Sequence, residues 1–240
     1  MRMLHGMIGL IFLTGVLQAE NITGSILIKR RLTRRSVTAE IPLYQRGPGL
    51  ELGKDRENDP IAYERAQVVV WIEGSGPGGA VARPEHAMEK PERPLEKMEQ
   101  IGRRFVPDLV VIAAGGTVSF PNGDPIFHNV FSLSKPKIFD LGNYVKGETR
   151  NVTFTKPGVV YVNCHLHPNM AAAVVVAPNR WYARSDREGH FTLRDLPPGS
   201  YTMVAWHKSA GSFRKTVEVA AGADTPVEFF IPLGEPTGIP

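Results

Sequence analysis

The stretch that decides the fold is Val159-Val160-Tyr161-Val162-Asn163-Cys164-His165-Leu166-His167-Pro168-Asn169-Met170. Its first half is a β-branched and aromatic run, the composition that a pleated, half-buried strand favours. Its second half carries Pro168 and Asn169 and reads as a loop. Cys164, the only cysteine among 240 residues, stands where the strand gives way to that loop. His167 and Met170 follow within the same tight loop, so a thiolate, an imidazole and a thioether can fold back around one point.

Outward from this stretch, short strand-like runs recur between turn residues. Residues 109–112, 117–120, 130–133, 149–154 and 172–176 fit that description. Ala114-Gly115-Gly116, Asn122-Gly123-Asp124 and Lys156-Pro157-Gly158 punctuate them. Strands at this cadence build a sandwich or barrel. Helical periodicity is scarce, so the fold class is all-β. Residues 22–28 and 66–72 are the first clear strands, and Val68-Val69-Val70-Trp71-Ile72 is apolar on both faces, as a central strand requires. From residue 73 the texture turns to Gly, Pro and charge, and residues 83–104 read as a linker with a short helix near 95–101. The last block opens its strands with Asp186-Arg187-Glu188-Gly189-His190-Phe191 and Leu196-Pro197-Pro198-Gly199-Ser200-Tyr201. Further strands are expected at 202–206, 213–219 and 226–231.

A second imidazole, His128, lies at the start of the 130–133 strand and reaches the loop from a different part of the chain. His128, Cys164 and His167 with Met170 as a weak axial partner are the donor set of a blue-copper electron-transfer site. Soft sulfur suits Cu(I) and imidazole suits both oxidation states. Asn129 is placed to hydrogen-bond across to the backbone or sulfur near Cys164, and Pro168 stiffens the loop. His165, next to Cys164 in an extended backbone, is expected to point away from the sulfur. His86, Met88 and Met98 are assigned to the linker, His190 and His207 to structure or surface, and Met203 to the core. Zinc on a Cys-His-His set and Cys–His nucleophilic catalysis are the competing chemistries. Zinc sites favour more thiolates, and the nucleophile lacks an orienting third member.

Arg2, the apolar run 7–16 and Leu17-Gln18-Ala19 make residues 1–19 read as a signal peptide, too short for a membrane span. The protein is therefore expected to be periplasmic or secreted, with no membrane span after signal removal. An odd thiol in such a chain calls for a role, and the spacing points to metal. The formal charge of +4 is mild, and Lys29-Arg30-Arg31 and Arg34-Arg35 read as solvated faces, so no nucleic-acid partner is expected.

Residues 105–178 resemble the cupredoxin family of amicyanin- and plastocyanin-like blue copper domains. The likeness lies in the Cys164–His167–Met170 loop and in Phe127-His128-Asn129-Val130-Phe131. The resemblance implies a cupredoxin Greek-key β-sandwich binding one type 1 copper ion. His128, Cys164 and His167 would be its equatorial ligands and Met170 its axial one. Residues 179–233 resemble the carboxypeptidase-regulatory-like or transthyretin-like β-sandwich. That family begins with strands like 22–28 and 68–72, here found ahead of the copper block. Residues 22–82 and 179–233 are therefore expected to form one discontinuous, small transthyretin-like β-sandwich with the cupredoxin-like part inserted.

The expected function is that of an exported blue copper protein, not an enzyme. It would carry single electrons between redox protein partners such as a cytochrome or a dehydrogenase. The edge of His167 would be the electron port and residues 168–173 the docking patch. Copper storage, delivery or sensing is the first alternative. The second is a ligand-binding or adhesive sandwich with a structural metal, for which exposed Trp181 and Tyr182 leave room.

Overall fold

The computed structural model describes residues 20–32, 59–74 and 95–231. The leader expected at 1–19, and His86 and Met88, lie outside the described residues. Among those described, strands dominate and one short helix is present. In chain order they begin with β1 (Glu20–Leu27), α1 (Pro60–Arg65), β2 (Val68–Glu73), β3 (Leu95–Lys97), β4 (Glu99–Gln100) and β5 (Phe105–Val106). Next come β6 (Leu109–Ala113), β7 (Gly116–Pro121), β8 (His128–Ser134), β9 (Lys137–Tyr144), β10 (Thr149–Phe154), β11 (Gly158–Asn163) and β12 (Ala171–Ala177). The chain finishes with β13 (Tyr182–Arg184), β14 (His190–Leu196), β15 (Gly199–His207), β16 (Gly211–Val219) and β17 (Thr225–Phe230).

The first strands of the chain pair with the last. β1 lies between β14, antiparallel, and β17, parallel, so Ile22 sits opposite both Leu193 and Thr225. A facing sheet runs β13-β2-β15-β16. The alternating apolar residues of both sheets meet in one core, which includes Ile22, Ile26, Val70, Ile72, Phe191, Leu193, Met203 and Phe229. Trp181 joins this core edge-on to Tyr201 and donates its indole N–H to the Asp195 carbonyl. It is buried rather than exposed, because an indole whose N–H finds a carbonyl can be taken out of water at little cost.

Residues 95–177 make a second pair of sheets, β10-β7-β3 and β6-β12-β11-β8-β9. Their core holds Met98, Val118, Phe120, Val130, Phe154, Val160, Val162, Cys164, Met170 and Ala172. Along β11 the period of two places Val160 and Val162 inside, and Cys164 continues that inward row. The sulfur therefore enters the core end rather than solvent.

Residues 95–100, expected as linker with a short helix, form the strands β3 and β4, and residues 101–104 turn the chain into β5. β3 pairs in parallel with β7, and β4 pairs with β5. Leu95, Glu96, Lys97 and Glu99 disguise this segment, but Met98 and Gln100 are fully buried and bind it to the sandwich. α1 was not foreseen either. Asp59 caps it by accepting from the Ile61 and Ala62 amides, and Pro60 supplies the first helical position.

The two sheet pairs abut through a third cluster. Val69, Trp71 and Trp206 from β2 and β15 pack on Leu109, Val111, Val159, Ala173 and Val175 from β6, β11 and β12. Polar ties border it: the Tyr63 hydroxyl donates to Asp108 at 2.9 Å and Arg184 to the Leu109 carbonyl at 3.3 Å.

Candidate metal centre

Three donors converge at one end of the β6-β12-β11-β8-β9 sheet. Cys164 leaves β11, His128 opens β8, and His167 returns from the loop that re-enters the fold at β12. That loop closes on itself through a Met170 N–H to His167 carbonyl bond of 2.9 Å. The Cys164 Sγ lies 3.9 Å from His128 Nδ1 and 3.7 Å from His167 Nδ1, and the ligand atoms of the three residues all lie within 4.8 Å of one another. His128 is 0% exposed, Cys164 3% and His167 half-buried. Met170, 1% exposed, belongs to the same core cluster as Cys164.

The separations suit a shared metal ion. An imidazole nitrogen and a thiolate at ordinary bond lengths from one divalent ion, at angles of 110–120°, stand about 3.6–3.8 Å apart. A thiol and two imidazoles, with a thioether in the core cluster that holds the thiol, are a soft, borderline donor set of the kind copper takes. The residues present therefore fit a metal ion.

Hydrogen bonds hold each donor in place. The Asn129 backbone N–H donates to the Cys164 sulfur at 3.4 Å. The Asn129 side chain accepts from the His165 amide at 3.4 Å and donates to Asp140 at 2.6 Å, which ties the cysteine loop to β9. The Asp140 carboxyl is held below its ordinary range by the Gly142 amide and by Asn129, with His165 adding to them against a small opposing effect of burial. The His167 ring is shifted towards its neutral form by burial and then by the neighbouring His128 and Arg103. A neutral imidazole is the form that binds metal.

His165 turns away from this group, as expected from alternation. Its ring stacks on Phe131 at 3.7 Å and 6°, and its Nε2 lies 3.3 Å from Asp140. Met98 is a core residue, as is Met203. His190 is exposed beside Asp186, and His207 is buried against Glu64. The docking patch expected at 168–173 needs correction: Ala172 lies in the sandwich core and Ala173 in the cluster between the sheet pairs. Next to the donors in sequence, the exposed large hydrophobic side chains are Phe127 at 56% and Leu166 at 46%.

One supporting residue escaped the sequence reading. Asp124 Oδ2 lies 2.8 Å from His128 Nε2, and the carboxylate accepts from the amides of Gly102 and Arg103 at 2.7 and 2.8 Å. Burial pushes its carboxyl up, but the Arg103 amide, His128 and the Gly102 amide together hold it below its ordinary value. The only signal in the sequence was an acidic residue four positions before His128, in a stretch that reads equally well as a turn.

The carboxypeptidase regulatory-like domain family matches residues 158–231. The match spans β11 and β12, which hydrogen-bond to β8 and β6, as well as the strands of the other sheet pair. Among solved structures, the chain is similar to a Cu-containing nitrite reductase from Thermus scotoductus SA-01 at 27% identity and TM-score 0.34, over 36% of this chain and 23% of that one. It is also similar to the reduced Cu(I) form of an amicyanin mutant, at 22% identity and TM-score 0.33, over 34% of this chain and 81% of that one. A purple cupredoxin from Nitrosopumilus maritimus is similar at 22% identity and TM-score 0.32, over 34% of this chain and 99% of that one. The chain thus spans less than a quarter of the nitrite reductase. No curated protein sequence matches it.

Proposed function

We propose that this chain is an exported copper protein that carries single electrons between redox protein partners, with no catalytic turnover of its own. The observation that carries the reading is the His128–Cys164–His167 group, assembled within 4.8 Å at one end of a sheet, with His128 and Cys164 buried and His167 half-buried. His128, Cys164 and His167, with Met170 from the same loop, would hold a single type 1 copper ion. Copper, when bound, supplies a one-electron couple.

The chain's own residues do the rest. The Asn129 N–H points at the Cys164 sulfur and holds it in place at the end of β11. β8 and β11 are adjacent strands of one sheet, so the donors stay fixed while the charge at the site changes. His167, half-buried, is the edge through which an electron leaves. Phe127 and Leu166, exposed on either ligand segment, form the apolar contact for a small, transient partner interface. Residues 1–19 direct the chain to the periplasm or the exterior. Residues 105–178, together with β3 to β5, form the copper-binding unit. This unit is inserted into a sandwich built from β1, β2 and β13 to β17.

Voltammetry of the copper-loaded protein tests the carrier role. A reversible one-electron wave with copper retained through repeated cycles is the expected result. Copper lost to a chelator within a few cycles overturns the carrier role in favour of storage or delivery.

A further inference from the structure

The turn that links β4 to β5 reaches the metal centre without contributing a ligand. Ile101 and Arg104 exchange backbone hydrogen bonds of 3.0 and 3.2 Å across Gly102-Arg103, whose φ values are +61° and +56°. Two successive left-handed residues define the tight hairpin turn in which glycine is at ease and arginine is not. Their two amides converge on one acceptor and form a small anion-binding concavity. The acceptor is Asp124: Gly102 N–H donates to Oδ1 at 2.7 Å and Arg103 N–H to Oδ2 at 2.8 Å. Asp124 is itself fixed, because its amide donates to Asn122 Oδ1 at 2.9 Å and Asn122 Nδ2 donates to the Ile126 and Tyr144 carbonyls.

An ionised carboxylate only accepts hydrogen bonds. His128 Nε2 lies 2.8 Å from the same Oδ2 that accepts from the Arg103 amide, and a ring nitrogen facing an acceptor there is the one that carries the proton. Its Nδ1 lone pair is then free and faces Cys164 Sγ at 3.9 Å. An amide in place of the carboxylate cannot reproduce this. With its NH₂ at Oδ1 it meets the Gly102 N–H, and with its NH₂ at Oδ2 it meets both the Arg103 N–H and the His128 Nε2–H. Each orientation puts donor against donor.

We propose that Asp124, gripped by the Gly102-Arg103 turn, is a positioning residue that fixes the His128 tautomer and thereby sets how tightly the His128–Cys164–His167 group captures its metal. The proposal rests on the copper reading only for the identity of the ion.

The test begins with long-range ¹H–¹⁵N correlation of the histidine rings in the metal-free, unaltered protein. His128 is expected to show a protonated Nε2 and a bare Nδ1; a protonated Nδ1 overturns the proposal without any variant. In Asp124→Asn the same pattern should be lost, and Cu(I) affinity measured against a chromophoric chelator should fall about 10- to 100-fold. His207 serves as an internal control for folding, since its Nδ1 accepts from the Ser209 amide away from the centre. An unaltered His128 tautomer in Asp124→Asn, or Cu(I) affinity within twofold of the parent, with the His207 signals intact, overturns the proposal. A parent protein that binds no copper overturns the capture clause together with the copper reading. The tautomer of its metal-free form still decides the positioning clause.

Discussion

Tyr144 shows how far individual residues near the centre are committed to burial. It lies opposite His128 in the β8–β9 pairing, donates its hydroxyl to the Phe120 carbonyl at 2.9 Å and accepts from Gln100 Nε2. Burial, opposed chiefly by the Gln100 hydrogen bond, pushes its phenol up to about 12. The folded protein thus keeps this proton where the unfolded chain, with a phenol near 10, releases it. Stability from this group is complete below about pH 10 and is lost as pH rises towards about 12. Urea denaturation at pH 9 and pH 11 should show a smaller fall for Tyr144→Phe than for the parent, although the variant starts about 1 kcal/mol less stable from the missing hydrogen bond. Equal falls would contradict this. At this scale the meeting of Cys164 and His167 was legible because one loop carries both, and Asn129 because it adjoins His128. Asp124, Gly102 and Arg103 were not, because their meeting depends on tertiary contact between two turns about twenty residues apart.

The elements around the centre were read unevenly, for a physical reason. β11 and β12 announce themselves through Val159, Val160, Val162, Val174, Val175 and Val176. They are packed on both faces, by the sandwich core and by the neighbouring sheet pair. β3 and β4 carry Glu96, Lys97 and Glu99, and their exposed Leu95 breaks the alternation that marks a strand. Only Met98 and Gln100 point inward, and two buried residues are too few to register as a period. The same segment supplies the turn that holds Asp124, so its misreading as a linker hid a part of the site. Met98→Ala should cost about 2–5 kcal/mol, the range for emptying a fully buried long side chain. Chemical denaturation would reveal it; a loss below about 0.5 kcal/mol would mean that the segment is peripheral after all.

At the scale of the molecule, chain order and spatial order differ. β1 and β2, from the start of the chain, are central in their sheets, each flanked on both sides by strands from residues 182–230. A fragment holding only residues 179–240 would lack both central strands and expose Phe191, Leu193, Met203 and Phe229. Expressed alone, it should give the dispersionless amide spectrum of an unfolded chain. A dispersed spectrum with cooperative melting would show that the early strands are dispensable and would defeat the insertion. The all-β class was legible throughout, since turn residues and alternating runs are local features. The contact of Trp71 and Trp206 with the β6–β12 face was not, because both aromatics read equally well as core of their own sheets.

The most direct test of the copper site is the visible and EPR spectrum of the copper-loaded protein beside that of Cys164→Ser. An intense thiolate-to-Cu(II) band, with one copper per chain and complete loss in the variant, is the predicted result. A colourless protein, or a spectrum indifferent to the loss of Cys164, would contradict a copper–thiolate centre and with it the electron-carrier reading.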